Sequence, residues 1–195
     1  MNRYFAVYKP YGVLSQFTAP KGKLSLKEIF RLPSDVYPVG RLDEDSEGLL
    51  LLTNDAHFQH RLSSPQFLHE KEYWVQVEGL VTDHAIRELS QGVLINIKGA
   101  TYRTKTCKCS PIEGDPSLPE RIPPIRQRKS IPVSWLSITL TEGKNRQVRK
   151  MTAAVGFPTL RLVRFRSGNF ALTGMLPGDM REIDRKEAME LLRGG

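Results

Sequence analysis

Two short segments of the chain combine charged side chains in patterns that could do chemistry. Residues 40–48 contain one arginine and four acids, and they stand immediately before a run of four leucines, residues 49–52, that predicts a buried strand. Residues 142–151 contain four basic residues, and on a helix Arg146 would share a face with Lys150 at a spacing of four. Carboxylates can act as nucleophiles, and clustered cations can bind a polyanion.

The acidic segment also matches part of a calcium-binding loop. Asp43, Asp45 and Glu47 alternate as the first ligands of such a loop do. The last ligand position, however, is occupied by Asn54 instead of glutamate, and residues 49–52 are all leucine. We therefore predict that this segment does not bind calcium.

The histidines and cysteines do not predict a metal centre either. His57 and His60 have only Asp55 nearby as a further ligand, so we interpret them as surface residues. Cys107 and Cys109 would share one face of a strand at the far edge of the disulfide distance, and we interpret them as reduced structural thiols. The sequence thus predicts no metal and no cofactor.

The positive charge of the chain is concentrated in one stretch. The formal net charge is +8, but residues 121–167 alone contain eleven basic residues and one acid, Glu142, which leaves the remainder slightly acidic. The eleven are Arg121, Arg126, Arg128, Lys129, Lys144, Arg146, Arg149, Lys150, Arg161, Arg164 and Arg166. Such asymmetry favours a polyanionic partner, and a nucleic acid is the commonest one.

Composition and hydropathy are those of an ordinary globular protein of 195 residues, with 39% hydrophobic and 26% charged residues. The sequence lacks an apolar run of about 18 residues, the length that would suggest a membrane span, and residues 1–10 do not form a signal peptide. We expect a cytoplasmic protein with no membrane association, and a monomer.

Hydrophobic periodicity predicts short strands and helices in alternation, and therefore an α+β fold with a mixed, largely antiparallel central sheet flanked by short helices and loops. Ser25 and Thr82 are predicted helix caps, and Gly92 is a predicted helix stop. The predicted strands cover residues 4–9, 36–39, 49–52, 72–78, 93–97, 102–109, 134–141 and 160–165. The predicted helices cover residues 26–30, 56–62, 83–91 and 146–155.

Residues 110–132 contain six of the thirteen prolines, so we predict a long loop there. Loops of this length inside a domain are usually functional or disordered. Arg126, Arg128 and Lys129 lie in it, and we interpret them as a clamp on phosphate groups.

Taken in order, the motifs resemble the ribosomal pseudouridine synthases of the RsuA type, and within that family the short E-type branch that acts on large-subunit rRNA. The resemblance covers nearly the whole chain. Its blocks are residues 7–14 (VYKPYGVL), 40–43 (GRLD), 46–50 (SEGLL), 71–73 (KEY), 123–126 (PPIR), 128–132 (RKSIP) and 142–149 (EGKNRQVR). It implies the pseudouridine synthase catalytic fold, here as a single domain over residues 1–195 without the N-terminal RNA-binding domain of many relatives.

The resemblance also implies roles for single residues. Asp43 matches the catalytic aspartate, Tyr73 the active-site tyrosine, and Arg149 the basic residue paired with the aspartate. Arg41 matches an arginine that helps to fill the space of the flipped base. The further substrate-binding residues that it implies are Leu162 (or Leu160) under the base, and Lys9, Arg126, Arg128, Lys129, Lys144 and Arg146 on the RNA.

The implied reaction isomerises a specific uridine of large-subunit ribosomal RNA to pseudouridine without a cofactor. The carboxylate would act at the sugar, either as a nucleophile at C1′ or as a base that starts elimination at C2′, and the sequence leaves both routes open. Two other functions stay open as well. The chain could be a non-catalytic rRNA-binding or ribosome-assembly protein, or a synthase acting on tRNA or small-subunit rRNA.

Overall fold

The computed structural model describes residues 1–125 and 130–192. Its strands are β1 Tyr4–Lys9, β2 Val13–Leu14, β3 Leu24–Ser25, β4 Tyr37–Pro38, β5 Glu47–Thr53, β6 Lys71–Glu78, β7 Leu94–Ile97, β8 Ala100–Arg103, β9 Lys108–Ile112, β10 Val133–Leu140, β11 Thr159–Ser167, β12 Phe170–Ala171 and β13 Met180–Ile183. Its α-helices are α1 Leu26–Ile29, α2 Ala56–Ser63, α3 Asp83–Gln91, α4 Gln147–Ala154 and α5 Arg185–Leu191, and Pro65–Phe67 form a 3₁₀ turn.

The chain divides into two compact units. The first comprises Met1–Glu70 and Val163–Gly195, and the second comprises Lys71–Leu162. The boundary falls within β11, whose first four residues belong to the second unit.

In the first unit, β1 lies between β13 and β5 and is antiparallel to both. All six residues of β1 and all seven of β5 are buried, including the leucine run of residues 49–52. On the other side of β5, β4 pairs antiparallel with its end and β11 pairs parallel with its start. Because β5 has neighbours along both edges and burial on both faces, residues at its start have a well-defined position.

Gly48 marks the closest approach of two strands in the first unit. It lies opposite Arg164 of β11, and its φ of +109° lies in a region that favours glycine. A Cβ atom at this position would collide with the backbone nitrogen and carbonyl oxygen of Arg164. Glycine is therefore needed near the start of β5, because β11 approaches too closely to leave room for a side chain.

The second unit is built on β10, which pairs antiparallel with β6 on one side and with β9 on the other. β7 and β8 form a separate antiparallel hairpin. The core contains side chains of β6, β7, β10, α3 and α4 together with Leu162. It consists of Val75, Val77, Leu89, Ile95, Leu136, Ile138, Leu140, Val148, Met151 and Leu162. Alternate residues of β6 and β10 enter this core, as the period of two predicts.

The α+β class and the mixed, mostly antiparallel strand pairing are confirmed. So are the caps: Ser25 forms a capping box with Glu28, and Thr82 accepts a hydrogen bond from the Ala85 amide at 3.2 Å. Gly92 follows α3 with a φ of +87°. No helix in the described part of the chain is long and apolar enough to cross a membrane.

The prediction of one strand over residues 102–109 was wrong, because β8 ends at Arg103 and β9 begins only at Lys108. There the Thr104 amide bonds the Val93 carbonyl, and the Cys107 amide bonds the Ser90 carbonyl. The predicted loop also begins later than expected, since β9 continues through Pro111 to Ile112.

Candidate active site

Asp43 lies half-buried on the loop of residues 40–46, which leads into β5. Hydrogen bonds between backbone groups hold this loop at the aspartate and at the residue after it. The Gly12 amide donates to the Glu44 carbonyl at 2.8 Å, and the Ser46 amide donates to the Asp43 carbonyl at 3.0 Å. The loop is thus an ordered turn anchored to the segment that follows β1.

Lys9, the last residue of β1, lies in the interior of the first unit. Its side chain has no exposed surface, and its ammonium group donates hydrogen bonds to the carbonyls of Pro10 at 2.9 Å and Val13 at 2.7 Å. Two charge-assisted hydrogen bonds to backbone oxygens fix the chain reversal after β1.

Several charged groups act on this buried ammonium. The pKa of Lys9 is lowered to about 8; burial is the largest cause, and the positive charge of Arg164 acts in the same direction. The carboxylates of Glu47, Asp45 and Asp43 act in the opposite direction and favour the charged form. The acidic loop and Lys9 therefore form one electrostatic cluster, in which the buried cation offsets part of the negative charge around Asp43.

Arg164 completes the cluster from β11. Only 5% of its surface is exposed, and its Nε donates to the carbonyl of Leu49 at 2.7 Å. This bond joins β11 to β5 next to the close contact at Gly48. Arg41, in contrast, is exposed at the start of the loop, where it can meet a ligand.

In the second unit, Tyr73 lies near the start of β6, opposite Ile138 of β10. It is partly buried and packs against the core that includes Leu162. Leu162 is 5% exposed, whereas Leu160 is half-buried. The structure therefore brings Tyr73 and Leu162 into one apolar cluster of this unit.

The basic segment of residues 142–151 is a loop followed by α4. Arg146 precedes the helix in a left-handed conformation, with a φ of 50°, and it is exposed. Arg149 is half-buried in the first turn of α4, and Thr152 donates from its hydroxyl to the Arg149 carbonyl at 3.3 Å. The predicted helix over residues 146–155 is confirmed to within one residue at each end.

Glu142 holds the base of this loop. One of its carboxylate oxygens accepts from the Tyr102 hydroxyl at 2.6 Å, and the other accepts from the Lys105 amide at 2.9 Å and the Gln147 side-chain amide at 2.5 Å. The hydrogen bond to Glu142 raises the pKa of Tyr102, and burial adds to the rise. Gln147 in turn accepts from the Lys144 amide at 2.9 Å, so both ends of the loop are tied.

Lys144 projects from the same loop and is exposed. Its ammonium lies over the ring of Tyr102, 4.8 Å from the centroid. Such a cation–π contact limits the positions of the side chain without removing its charge from water. Lys144 and Arg146 are thus presented to solvent by a loop whose base is buried.

The fold and these residues can now be compared with known proteins. The profile of the family described as RNA pseudouridylate synthase matches residues 3–154. The chain belongs to the RNA pseudouridylate synthase family.

Two curated relatives agree with this assignment. The chain is 48% identical to a ribosomal large subunit pseudouridine synthase E of Xanthomonas campestris pv. campestris over 182 residues, covering 91% of this chain and 94% of the relative. It is 34% identical to a ribosomal large subunit pseudouridine synthase B of Bacillus subtilis, covering 96% of this chain and 70% of the relative. These similarities confirm the resemblance to the RsuA-type enzymes.

Solved structures agree as well. A crystal structure of a pseudouridylate synthase matches 98% of this chain and 74% of its own, with a TM-score of 0.80 at 27% identity. Human RNA pseudouridylate synthase domain containing 1 matches with a TM-score of 0.60 at 12% identity, which supports the fold alone. The pseudouridine synthase catalytic fold is therefore confirmed.

Some of the residues predicted for this synthase lie elsewhere than the sequence indicates. Lys9 was predicted to touch RNA, but its ammonium is enclosed and used on backbone carbonyls, so it is not placed for that contact. Arg161 and Arg164, counted in the basic stretch, are each 5% exposed and bond the carbonyls of Pro119 and Leu49. Arg126, Arg128 and Lys129 lie outside the described residues.

The cysteines behave as the sequence predicts. Cys107 and Cys109 are both free and half-buried, and burial raises the pKa of their thiols to about 11 and about 12. Thiols of this kind react slowly because little thiolate forms near neutral pH. Among the described residues, no group of three or more histidine, cysteine, aspartate or glutamate side chains could hold a metal ion.

Proposed function

We propose that this synthase isomerises a uridine of large-subunit ribosomal RNA to pseudouridine, with Asp43 as its catalytic carboxylate. The observation that carries this proposal is the 48% identity to a large-subunit enzyme across 91% of the chain. The position of Asp43 supports it, because a half-buried carboxylate on an anchored loop is available to a ligand and has a defined direction.

The reaction breaks the N1–C1′ bond of the uridine, turns the base and joins C5 to C1′. The proton leaves C5 and a proton is taken up at N1, so the product is an isomer of the substrate. Asp43 acts at the sugar, as nucleophile or as base, and either role requires its ionised form. A uridine must leave its stack to reach such a site, which costs a few kcal/mol and favours single-stranded or open RNA.

Tyr73, Leu162 and Arg149 are the proposed contributions of the second unit. The ring of Tyr73 would stack on the uracil, and its hydroxyl would help to remove the C5 proton. Leu162, which packs in the same cluster, would support the apolar surface under the base. Arg149 is the basic residue that the family resemblance pairs with the catalytic carboxylate.

Arg41, Lys144 and Arg146 are the proposed RNA contacts among the described residues, because all three are exposed on loops. Guanidinium and ammonium groups in such positions bind phosphate and make affinity depend on salt. Arg126, Arg128 and Lys129 remain part of the proposal as a phosphate clamp. Lys9 has a different proposed role, which is to support the acidic loop from inside.

We further propose that the chain acts in the cytoplasm as a monomer, with both units serving one catalytic domain. The ordinary globular composition of the chain supports the cytoplasmic location, and the family match over residues 3–154, which includes residues of both units, supports the single catalytic domain.

The test is tritium release from 5-tritiated uridine in large-subunit rRNA that lacks pseudouridine. Wild type should release tritium and Asp43→Asn should not. Glu44→Gln is the matched control, since it removes a charge from the neighbouring residue, whose side chain contacts exposed Lys23. We expect Glu44→Gln to keep its activity.

Two results would contradict the proposal. Release by Asp43→Asn at the wild-type rate would remove Asp43 from the chemistry. No release by wild type, with RNA binding intact, would favour either the non-catalytic binding protein or another RNA substrate, and repeating the assay on tRNA and small-subunit rRNA would separate these two.

A further inference from the structure

Ser15 forms an unusual contact with the loop that carries Asp43. It directly follows β2, and only 3% of its surface is exposed. Its hydroxyl oxygen accepts a hydrogen bond from the Leu42 amide at 3.0 Å and donates one to the Leu42 carbonyl at 2.8 Å. One side chain thus satisfies both backbone groups of a residue 27 positions later in the chain.

Leu42 depends on this contact. It is 6% exposed, and within residues 1–125 and 130–192 it makes no hydrogen bond to another backbone group. A buried amide or carbonyl without a partner is destabilising, so Leu42 has a strong reason to stay beside the hydroxyl of Ser15. The peptide group that leads into Asp43 is the one whose oxygen Ser15 binds.

We propose that Ser15 is a positioning residue for the isomerisation. By holding the amide and the carbonyl of Leu42, it fixes the direction in which the backbone enters Asp43, and therefore the place of the carboxylate. This inference rests on the proposed catalytic role of Asp43. Displacement of a catalytic group by about 1 Å can lower a rate by about 100-fold, so a single hydroxyl can matter for turnover.

The rest of the loop shows why this hydroxyl is needed. The amide of Gly12 holds the carbonyl of Glu44, and the Ser46 amide holds the carbonyl of Asp43, so the loop is anchored at and after the aspartate. Before the aspartate, the anchor is the side chain of Ser15. The next hydrogen bond towards the start of the chain is that of the Val39 amide to the Leu51 carbonyl at 2.7 Å. Within the described residues, loss of the Ser15 hydroxyl would therefore leave Leu42 without an anchor between Val39 and Asp43.

Ser46 provides a matched control within the same loop. It is also buried, with 1% of its surface exposed, but among the described residues its hydroxyl makes no hydrogen bond. Ser15→Ala and Ser46→Ala therefore remove the same atom from equally buried positions on either side of Asp43. They differ in whether the atom holds the backbone.

The experiment measures the single-turnover rate of tritium release and, separately, the affinity for the same rRNA. Ser15→Ala should lower the rate at saturating enzyme by 10- to 100-fold and change the dissociation constant by less than twofold. Ser46→Ala should stay within twofold of wild type in both. If Ser15 had only a structural role, Ser15→Ala would reduce the fraction of folded enzyme but would not slow the molecules that are folded. Thermal unfolding measures the folded fraction of each variant.

Ser15→Cys, compared with Ser46→Cys, keeps the inference testable if Ser15→Ala does not fold. A thiol is a weaker donor and acceptor in the same place. Ser15→Cys should therefore release tritium more slowly than Ser46→Cys. Equal rates in either pair, or a loss confined to RNA affinity, would overturn the inference.

Asp43→Asn in the same assay separates the two proposals. If it releases no tritium while Ser15→Ala matches wild type, only the role of Ser15 fails. If wild type itself releases none, or Asp43→Asn matches wild type, the proposed function fails first.

Discussion

Residues 40–46 in the first unit and residues 142–146 in the second are both short loops with charged side chains, but they are held differently. The first is bound through its own backbone, by the Gly12 amide and the Ser15 hydroxyl, above a buried lysine. The second is bound at its base by the side chains of Glu142 and Gln147, while Lys144 and Arg146 point to solvent.

The difference corresponds to the work proposed for each loop. A carboxylate that attacks one atom of a sugar must be placed to within a fraction of an ångström, and backbone anchoring gives that precision. Cations that meet phosphate groups act over longer distances and tolerate movement of their side chains. Mutations that remove an anchor of the first loop should therefore change the rate, and mutations of the exposed cations in the second should change RNA affinity.

The largest expected effect concerns Lys9, and it tests whether the first loop stands over a buried charge. Unfolded, this lysine titrates near its usual pKa of 10.5, and folded near 8. Below pH 8 both states hold the proton; between pH 8 and 10.5 the folded state releases it first, so stability rises with pH. Relative to Lys9→Met, the free energy of unfolding of wild type should rise by about 3 kcal/mol across this range.

Denaturant unfolding of wild type and Lys9→Met at several pH values gives the difference between their free energies of unfolding. The contributions of the other titrating groups are common to both proteins and largely cancel in this difference. Parallel curves from pH 7.5 to 10.5 would show that folding does not lower the pKa of Lys9, and the contrast between the two loops would lose its electrostatic part.

A smaller effect is expected at the base of the second loop. Glu142→Ala leaves the Tyr102 hydroxyl, the Lys105 amide and the Gln147 amide without their acceptor, and should lower the free energy of unfolding by about 2 kcal/mol. Tyr102→Phe removes one of the three bonds and should cost about 1 kcal/mol. Denaturant unfolding gives both values.

Glu142→Ala also tests the functional difference between the two loops. Because the base of the loop sets where Lys144 and Arg146 lie, Glu142→Ala should weaken rRNA binding more than it slows single-turnover tritium release. A loss of rate with unchanged affinity would instead place this loop with the chemistry.

The smallest effect on the fold is expected at the exposed cations. Lys144→Ala and Arg146→Ala should each change the free energy of unfolding by less than about 1 kcal/mol. Each should nevertheless weaken RNA binding and lower the slope of log affinity against log salt by about 1. Lys186→Ala, an exposed lysine on α5, is the control for loss of one charge. An unchanged slope in both loop variants would argue against phosphate contacts there.

Much of the fold follows from local patterns in the sequence. The leucine run of residues 49–52 is long enough and apolar enough to require a buried strand, and β5 confirms it. The caps at Ser25 and Thr82 are local hydrogen bonds, and local sequence suffices to predict them. The break between β8 and β9 could not be predicted in this way, because the Lys105 amide bonds Glu142, 37 residues later.

The candidate site likewise combines features that the sequence predicts with contacts between distant residues that it does not predict. The order of the motifs predicts Asp43, Tyr73 and Arg149 as site residues, and their roles stay predictions. The sequence does not indicate Ser15, because a serine in a turn has no local signal of its bond to Leu42, 27 residues away. The burial of Lys9 and Arg164 differs from expectation for a related reason: charged side chains are exposed on average, whereas these two cations are enclosed. A lysine directly after five buried strand residues was the available signal for Lys9.

The proline within β9 has a consequence for handling the protein. β9 pairs with β10 on one side, and among the described residues no strand covers its other edge. An uncovered edge can recruit a strand from another molecule and start aggregation. Pro111 lacks an amide hydrogen, and exposed Lys108 adds a charge, so this edge offers a poor template. Pro111→Val should therefore make concentrated samples aggregate sooner.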